Sequence, residues 1–218
     1  MSNTDKILKI NEIFKSIQGE STYMGRACTF IRLTYCNLRC SYCDTEYSFH
    51  EGEDMSIQDI MKKIKPMKTK IVEVTGGEPM LQQNVIPLME ELLNNSYEVL
   101  LETCGAISLK DVPTGVKKIV DFKCPSSNMK DKNLWSILNE LSKNDEIKFV
   151  IGNRNDYDWT KEKISKYKLD EKWTVLFSPV FDKLQLNELA DWILADNLDV
   201  RLQLQMHKYI WDPDMRAV

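Results

Sequence analysis

The chain has 218 residues, of which 43% are hydrophobic and 28% are charged, a composition that excludes disordered and fibrous proteins. A chain of this length buries enough apolar surface to form a core without disulfides or a structural metal. Its net charge of −4 gives no general attraction to nucleic acid or anionic membranes, and no apolar run of about 20 residues could span a bilayer.

The N-terminal segment, residues 1–14, mixes acidic and amide residues with apolar ones and lacks the continuous apolar stretch of a secretory signal. We therefore expect a cytoplasmic protein with no nucleic-acid or membrane partner. In that compartment the six cysteines are reduced thiols, metal ligands or small buried residues rather than disulfides.

Short runs rich in Val, Ile, Leu and aromatic residues predict strands, and longer amphipathic segments between them predict helices. In chain order the predicted strands are residues 30–35, 71–75, 97–102, 118–122, 147–151, 174–177 and 201–204. The predicted helices are residues 56–65, 85–94, 134–141, 159–167 and 186–196. Ser56 is the predicted N-cap of the first helix.

After the first 50 residues, which we expect to form loops around one strand, the order is repeatedly strand, helix, strand, and this predicts a parallel sheet. A complete eight-stranded barrel takes about 250 residues, so an α/β fold with an open, partial (β/α)6-type barrel fits better. We expect one domain over residues 1–218, with substrate and cluster loops in residues 12–50 and βα repeats in residues 56–210. Chemistry is expected at the C-terminal ends of the strands.

Three cysteines follow the first predicted strand within eight residues, as Cys36, Cys40 and Cys43 in a C-x3-C-x2-C arrangement. Thiolates are soft ligands that suit zinc, copper(I) and iron–sulfur clusters. Three thiolates from one loop can hold three irons of a 4Fe–4S cluster and leave the fourth iron open to a ligand.

A zinc site is the alternative for this triplet. It requires a fourth ligand, such as Cys28 or His50, because structural zinc is four-coordinate. The chain has no second C-x2-C pair to supply one. We interpret Cys28 as a small buried residue and assign no ligand role to Cys104 or Cys124.

Two segments together carry a specific resemblance. The order Cys36-x3-Cys40-x-Tyr42-Cys43, with an aromatic residue before the third cysteine, resembles the signature of the radical S-adenosylmethionine (SAM) superfamily, whose fold is a partial barrel. The segment Thr75-Gly-Gly-Glu-Pro79 resembles the superfamily's GGEP segment, although alone it could be an ordinary strand-to-helix turn. The resemblance implies a 4Fe–4S cluster whose fourth iron is chelated by SAM.

Further segments narrow the resemblance to one family. Residues 12–32, 102–105, 121–127 and 203–208 are similar to the 7-carboxy-7-deazaguanine synthases of queuosine and 7-deazapurine biosynthesis. The resemblance implies a carbon–nitrogen lyase that converts 6-carboxy-5,6,7,8-tetrahydropterin to 7-carboxy-7-deazaguanine and releases ammonia. In this reaction a 5′-deoxyadenosyl radical abstracts hydrogen from the pterin. The family also implies Mg²⁺, an electron donor such as flavodoxin or ferredoxin, and a homodimer.

Residue roles follow from the same resemblance. Substrate contacts are implied for Ile17, Gln18, Gly19, Arg32, Thr75, Glu102, His207 and Val218. SAM contacts are implied for Tyr42, Cys43, Asp44, Gly77, Glu78, Lys123, Pro125, Ser126 and Ser127. Thr45 is the implied Mg²⁺ ligand. No acid or base is assigned, and Glu102 and His207 are the candidates.

Arg32 also has a physical argument of its own. It alternates with Ile31 and Leu33 along the strand before the triplet, so it faces opposite to both. If those apolar neighbours face the helices, Arg32 points into the barrel, where an unpaired guanidinium is costly. An anionic substrate would satisfy it, and a guanidinium pairs well with a carboxylate.

Two other functions remain open from the sequence. A glycyl-radical enzyme activase uses the same cysteine loop and a similar glycine-rich turn, but it acts on a partner protein. A zinc-stabilised binding module would have no catalytic activity. Iron content after anaerobic reconstitution separates the module from a cluster enzyme.

Overall fold

A computed structural model describes residues 5–218, in which nine strands form one sheet. The strands are β1 (Ile7–Ile17), β2 (Ala27–Leu33), β3 (Glu53–Ser56), β4 (Ile71–Gly76), β5 (Glu98–Thr103), β6 (Lys117–Asp121), β7 (Glu146–Ile151), β8 (Thr174–Pro179) and β9 (Arg201–Leu202). The α-helices are α1 (Ile57–Ile64), α2 (Val85–Asn94), α3 (Arg154–Tyr167), α4 (Leu186–Asp196) and α5 (His207–Ile210).

The sheet order is β3-β1-β2-β4-β5-β6-β7-β8-β9. Six successive pairings, from β2–β4 to β8–β9, are parallel. This arrangement confirms the α/β fold and the open, partial barrel.

The N-terminal edge of the sheet differs from the prediction, because β1 pairs antiparallel with both β2 and β3. Residues 7–17 were expected to form a loop. The register of β1 against β2 shifts between Ile10 and Glu12, and such a bulge changes which face each later residue occupies. The apolar alternation of β1 is therefore interrupted, and this interruption hid the strand.

Most predicted helices are confirmed, with α3 beginning at Arg154 rather than at residue 159. The α-helix predicted over residues 134–141 is wrong, since residues Trp135–Glu140 form a 3-10 helix. Its N-cap residue, Leu134, makes no capping bond, and Trp135 stacks on Phe122 at 4.5 Å and on Tyr167 at 4.6 Å. These contacts hold a tight, short turn in place of an α-helix.

The main core lies between the sheet and the helices. Ile57, Ile60 and Ile64 form the buried face of α1, and the Ser56 hydroxyl accepts a hydrogen bond from the Asp59 amide at 3.1 Å, which confirms the predicted N-cap. Val72 and Val74 of β4 belong to this core. The residues that alternate with them therefore face the inside of the barrel.

The loop between β1 and β2 covers the N-terminal ends of three parallel strands. The Tyr23 hydroxyl donates to Glu98 at the start of β5 (2.6 Å), and Lys117 at the start of β6 donates to Thr22 (2.9 Å). Thr22 also contacts Glu146 at the start of β7. This loop leaves the C-terminal ends of the strands for the site. No helix in the described part of the chain is both long and apolar enough to cross a membrane.

Candidate functional site

A cavity of about 430 Å³ lies at the C-terminal ends of the strands. Most of the predicted site residues meet in its wall, which contains Ile17, Gln18, Gly19, Arg32, Cys36, Cys40, Tyr42, Cys43, Asp44, Thr45, Thr75, Gly77, Glu102, Lys123, His207 and Val218. Its size is that of an ordinary small-molecule site. Four predicted residues lie outside the wall: Glu78, Pro125, Ser126 and Ser127.

The three cysteines of the loop after β2 are half-buried free thiols in one wall of this cavity. In residues 5–218 no three His, Cys, Asp or Glu side chains are grouped as a metal site, so the thiols must converge further to share a cluster. Burial raises the pKa of Cys40 to about 11 and also raises the pKa of Cys36. The soft donor set fits an iron–sulfur cluster, and the thiolate form needs such a cationic partner.

The proposed zinc ligands do not join the triplet. Cys28 is fully buried in a small apolar cluster with Phe30, Ile71 and Leu100 on the inner face of the sheet. His50 is exposed and does not line the cavity.

We therefore predict that Cys28→Ala leaves the iron content of the reconstituted protein unchanged, because this thiol lies among apolar side chains. Cys43→Ala serves as the comparison and should lower the iron content strongly. Iron and sulfide analysis of both folded variants tests the assignment. Equal iron loss in the two variants would contradict it.

The turn after β4 packs tightly against the cysteine loop. A side chain at Gly77 would overlap the Tyr35 carbonyl oxygen and would place its Cβ 2.7 Å from the Cys36 Cβ. Only glycine allows this approach. The buried Glu78 carboxylate accepts hydrogen bonds from the amides of Met80 (2.9 Å) and Cys104 (2.7 Å), so it organises the turn and faces away from the cavity.

The segment Pro125–Ser127 lies behind the cysteine loop and supports it. The Ser41 hydroxyl donates to the Ser126 carbonyl at 2.6 Å, and the Ser41 amide donates to the Ser127 carbonyl at 3.1 Å. The Ser126 side chain bonds to Asp156 on α3. The structure therefore gives these residues a supporting position and leaves their predicted SAM contacts untested.

Asp121 and Lys123 also line the cavity, near the cysteine loop. Lys123 Nζ donates to Asp121 Oδ2 at 2.7 Å, and burial would lower the pKa of Lys123, but Asp121 and other anionic neighbours raise it well above its usual value. Asp121 Oδ1 is buried and has no hydrogen-bond partner among the described residues. A ligand that offers N–H or O–H donors, as SAM does, would satisfy this oxygen.

Arg32 already has a protein partner, which the sequence argument did not anticipate. Its Nε donates to Glu12 Oε1 at 2.7 Å, and the Tyr47 hydroxyl donates to the same oxygen at 3.0 Å. Within residues 5–218 the guanidinium makes no other hydrogen bond, so its terminal nitrogens remain available in the cavity wall. Glu12 therefore orients the guanidinium through Nε and leaves the two terminal nitrogens available to a ligand.

Lys148 of β7 is the main charge that sequence reasoning missed. Its ammonium contacts Glu102 Oε1 at 2.6 Å and also pairs with Glu20. Burial would raise the pKa of Glu20, but Lys148 and His207 outweigh burial and lower it. Burial raises the pKa of Glu102 despite the lysine. The ammonium therefore holds two carboxyls of unequal acidity in the wall.

The C-terminal segment completes the cavity. Gln205 donates to Glu20 at 3.1 Å, and Lys208 pairs with Asp44 at 2.8 Å. Burial would raise the pKa of Asp44, but Lys208 outweighs it and lowers the pKa to about 2. Burial lowers the pKa of His207, so its imidazole is neutral near pH 7. The Val218 tail lies in the same wall.

Three pocket residues missed by sequence reasoning share one signal. Glu73, Asp121 and Lys148 are charged residues inside predicted apolar strands, where a solvated surface position is not expected. A buried charge in such a run indicates an inward-facing functional position. Glu20 and Glu12 belong to the N-terminal motif, yet neither received a role.

Comparison with known proteins agrees with this geometry. Residues 30–123 match the Radical SAM superfamily. The chain is 44% identical over 226 residues to a 7-carboxy-7-deazaguanine synthase of Koribacter versatilis (strain Ellin345), covering 97% of this chain and 100% of the relative. It is 42% identical over 220 residues to a protein of the same name from Chlorobaculum tepidum, covering 99% and 100%.

Solved structures with a similar fold are known. The crystal structure of QueE from Escherichia coli matches with a TM-score of 0.77 at 24% identity, covering 92% of this chain and 95% of the other. SuiB from Streptococcus suis, solved bound to S-adenosylmethionine, matches with a TM-score of 0.54 at 13% identity, covering 78% and 48%. At these identities the likeness concerns the fold.

Proposed function

The chain belongs to the 7-carboxy-7-deazaguanine synthase family, and from this premise we propose that it converts 6-carboxy-5,6,7,8-tetrahydropterin to 7-carboxy-7-deazaguanine with loss of ammonia. It is a radical SAM enzyme and a lyase. The observation that supports this substrate is the position of the Arg32 guanidinium, which Glu12 orients in the same cavity as the cysteine triplet. This activity is favoured over a glycyl-radical enzyme activase and a zinc-stabilised module.

Cys36, Cys40 and Cys43 would hold three irons of the 4Fe–4S cluster. When bound, the cluster supplies the electron that cleaves SAM to methionine and the 5′-deoxyadenosyl radical, which abstracts hydrogen from the substrate. Gly77 lets the turn after β4 pack against the cysteine loop, where its backbone would contact SAM. Asp121 lines the same cavity, and its unpartnered Oδ1 would accept a hydrogen bond from SAM.

The remaining wall residues bind and orient the pterin. The terminal nitrogens of Arg32 pair with the carboxylate of the pterin. The two parallel N–H···O bonds fix the orientation of the ring relative to SAM. Glu102, held by Lys148, and Gln18 contact the ring. His207, as a neutral imidazole, can accept a proton near the ring.

We assign Mg²⁺ to Thr45, whose hydroxyl lies 3.8 Å from Cys43 Sγ in the cavity wall. A neutral hydroxyl suits Mg²⁺, which keeps several waters and shares substrate oxygens.

Thr45→Ala should therefore abolish the stimulation of turnover by Mg²⁺, whereas Thr45→Ser, which retains the hydroxyl, should preserve most of it. Steady-state rates at graded Mg²⁺ concentrations measure the effect. An unchanged Mg²⁺ dependence in the alanine variant would place the ion elsewhere.

The whole reaction has a direct test. Reduced, reconstituted protein is incubated anaerobically with SAM, Mg²⁺ and 6-carboxy-5,6,7,8-tetrahydropterin, and the product is identified by mass spectrometry. We expect 7-carboxy-7-deazaguanine from the native chain and none from Cys36→Ala. A protein that binds about four irons and cleaves SAM yet gives no such product would refute the proposed substrate.

The proposal extends to the setting of the enzyme. We place it in the cytoplasm as a single radical SAM domain that acts as a homodimer and receives electrons from flavodoxin or ferredoxin. Light scattering of the reconstituted protein measures the mass of the assembly, and turnover with each reductant in place of a chemical one tests the donor.

A further inference from the structure

Glu73 is a buried carboxyl that none of the roles above uses. It lies on β4 between Val72 and Val74, is 2% exposed and lines the cavity. One carboxyl oxygen, Oε2, accepts a hydrogen bond from Gln18 Nε2. No other side chain or amide in residues 5–218 donates to the carboxyl, and Oε1 is not among the fully enclosed atoms without a partner, so Oε1 faces the cavity.

The charges around Glu73 leave it without a cation. Glu20 approaches from the turn after β1, Glu102 from β5 and Lys148 from β7. Lys148 pairs with Glu20 and Glu102 and makes no bond to Glu73. Burial and the two neighbouring carboxyls raise the pKa of Glu73 well above its usual value. This carboxyl therefore gains more than its neighbours do from a ligand with N–H donors.

The sheet register fixes the position of Glu73 relative to Arg32. Parallel pairing of β2 with β4 sets Arg32 beside Thr75 and Phe30 beside Glu73. Glu73 therefore lies two residues before the level of Arg32, at the next inward-facing position of the sheet. This places it about 6–7 Å deeper in the barrel along the strand direction. Phe14 and Phe30, with ring centroids 5.0 Å apart and an interplanar angle of 13°, line the cavity at this depth.

We propose that Glu73 binds the donor edge of the substrate heterocycle, the 2-amino and ring N–H groups of a 2-amino-4-oxopyrimidine, while Arg32 holds the carboxylate at the opposite end. The inference rests on the proposed function and makes Glu73 a specificity-determining residue. A rigid bicyclic ring with an anionic end and a donor end matches a cavity that has a guanidinium above and an unsatisfied carboxyl below. A heterocycle without the amino group keeps only the ring N–H and leaves one of these two hydrogen bonds unmade.

The test compares two stable probes, 6-carboxypterin and its 2-deamino analogue, bound to the reconstituted protein and followed by ligand fluorescence. Glu73→Gln keeps an acceptor for Gln18 and replaces the other carboxyl oxygen by an NH2 group, which opposes the N–H donors of the ligand instead of accepting from them. We expect it to weaken binding of 6-carboxypterin about tenfold and to weaken binding of the deamino analogue, which keeps only the ring N–H, clearly less. Glu90→Gln, an exposed carboxyl on α2, is the matched control and should change neither affinity.

An equal loss of affinity for both probes would show that Glu73 only positions Gln18, and this would overturn the inference. So would unchanged selectivity. If Glu73→Gln does not fold, Glu73→Asp, which retracts the carboxylate by one methylene, must reduce the same selectivity. Product formation by the native chain separates the role of Glu73 from the proposed reaction. If the native chain forms the product but Glu73 variants keep their selectivity, only the role of Glu73 is rejected. If the native chain forms no product, both proposals are rejected.

Discussion

Replacing Lys148 by methionine is expected to lower the free energy of unfolding by about 3 kcal/mol, the lower end of the cost of removing one partner from a buried ion pair. The Lys148 side chain is 6% exposed, and its ammonium is shared by Glu20 and Glu102, whose side chains are 13% and 23% exposed. Methionine fills much of the same volume, so the loss arises from the two carboxyls that remain buried without a cation.

The pH dependence of this variant distinguishes charge from packing. Without Lys148 the pKa values of both carboxyls rise above their unfolded values near 4.3, so stability is lost as pH rises from about 4.5 toward neutrality. The deficit against the native chain should therefore be largest at about pH 7 and smaller at about pH 5. Urea unfolding of the reconstituted proteins at both pH values measures it.

Lys161→Met provides the matched control. Its pair with Asp196 has side chains 31% and 29% exposed, and such surface pairs contribute less than about 1 kcal/mol. A deficit for Lys148→Met that is the same at both pH values would indicate a packing defect instead of unpaired carboxyls.

Arg32→Lys is expected to weaken binding of the carboxypterin by about 1.5–3 kcal/mol, roughly 10- to 150-fold, because lysine keeps the charge but has no planar fork. Glu12 already takes the Nε donor at 2.7 Å. A lysine ammonium that satisfies Glu12 cannot also present two parallel donors to a substrate carboxylate. SAM binding and uncoupled SAM cleavage should persist, since these depend on other walls of the cavity.

Binding isotherms for 6-carboxypterin and for SAM measure both effects in one preparation. Arg26→Lys is the control, because Arg26 pairs with Glu98 at the surface and does not line the cavity. Native affinity for 6-carboxypterin in Arg32→Lys would refute the clamp. Loss of the cluster in that variant would show that the Arg32–Glu12 pair mainly supports the fold.

The parts of the site that are local in sequence could be predicted from it. The cysteine triplet and the Gly77 turn each lie within one short segment, and the two motifs together indicate the chemistry. The helices α1, α2 and α4 could also be predicted, since apolar periodicity and the Ser56 cap are local signals. The 3-10 helix at Trp135 could not, because aromatic stacking from two other segments determines it.

The contacts among the charged residues Lys148, Glu102 and Glu20 in the cavity wall depend on sheet register and could not be predicted in the same way. Lys148 meets Glu102 across 46 residues and Glu20 across 128. Neither separation leaves a pattern in a single sequence. Arg32 shows the same limit: its inward direction followed from alternation, but its partner Glu12 lies on β1, a strand whose bulge hid it.

The bonds that close the cavity join the two ends of the chain. Gln203 reaches Glu20 across 183 residues, and Lys208 reaches Asp44 across 164. During synthesis the cysteine loop leaves the ribosome long before these partners exist, and contacts of such separation form late in folding. We therefore expect the cysteine loop to stay accessible to cluster assembly and to oxidants until residues 203–208 are in place.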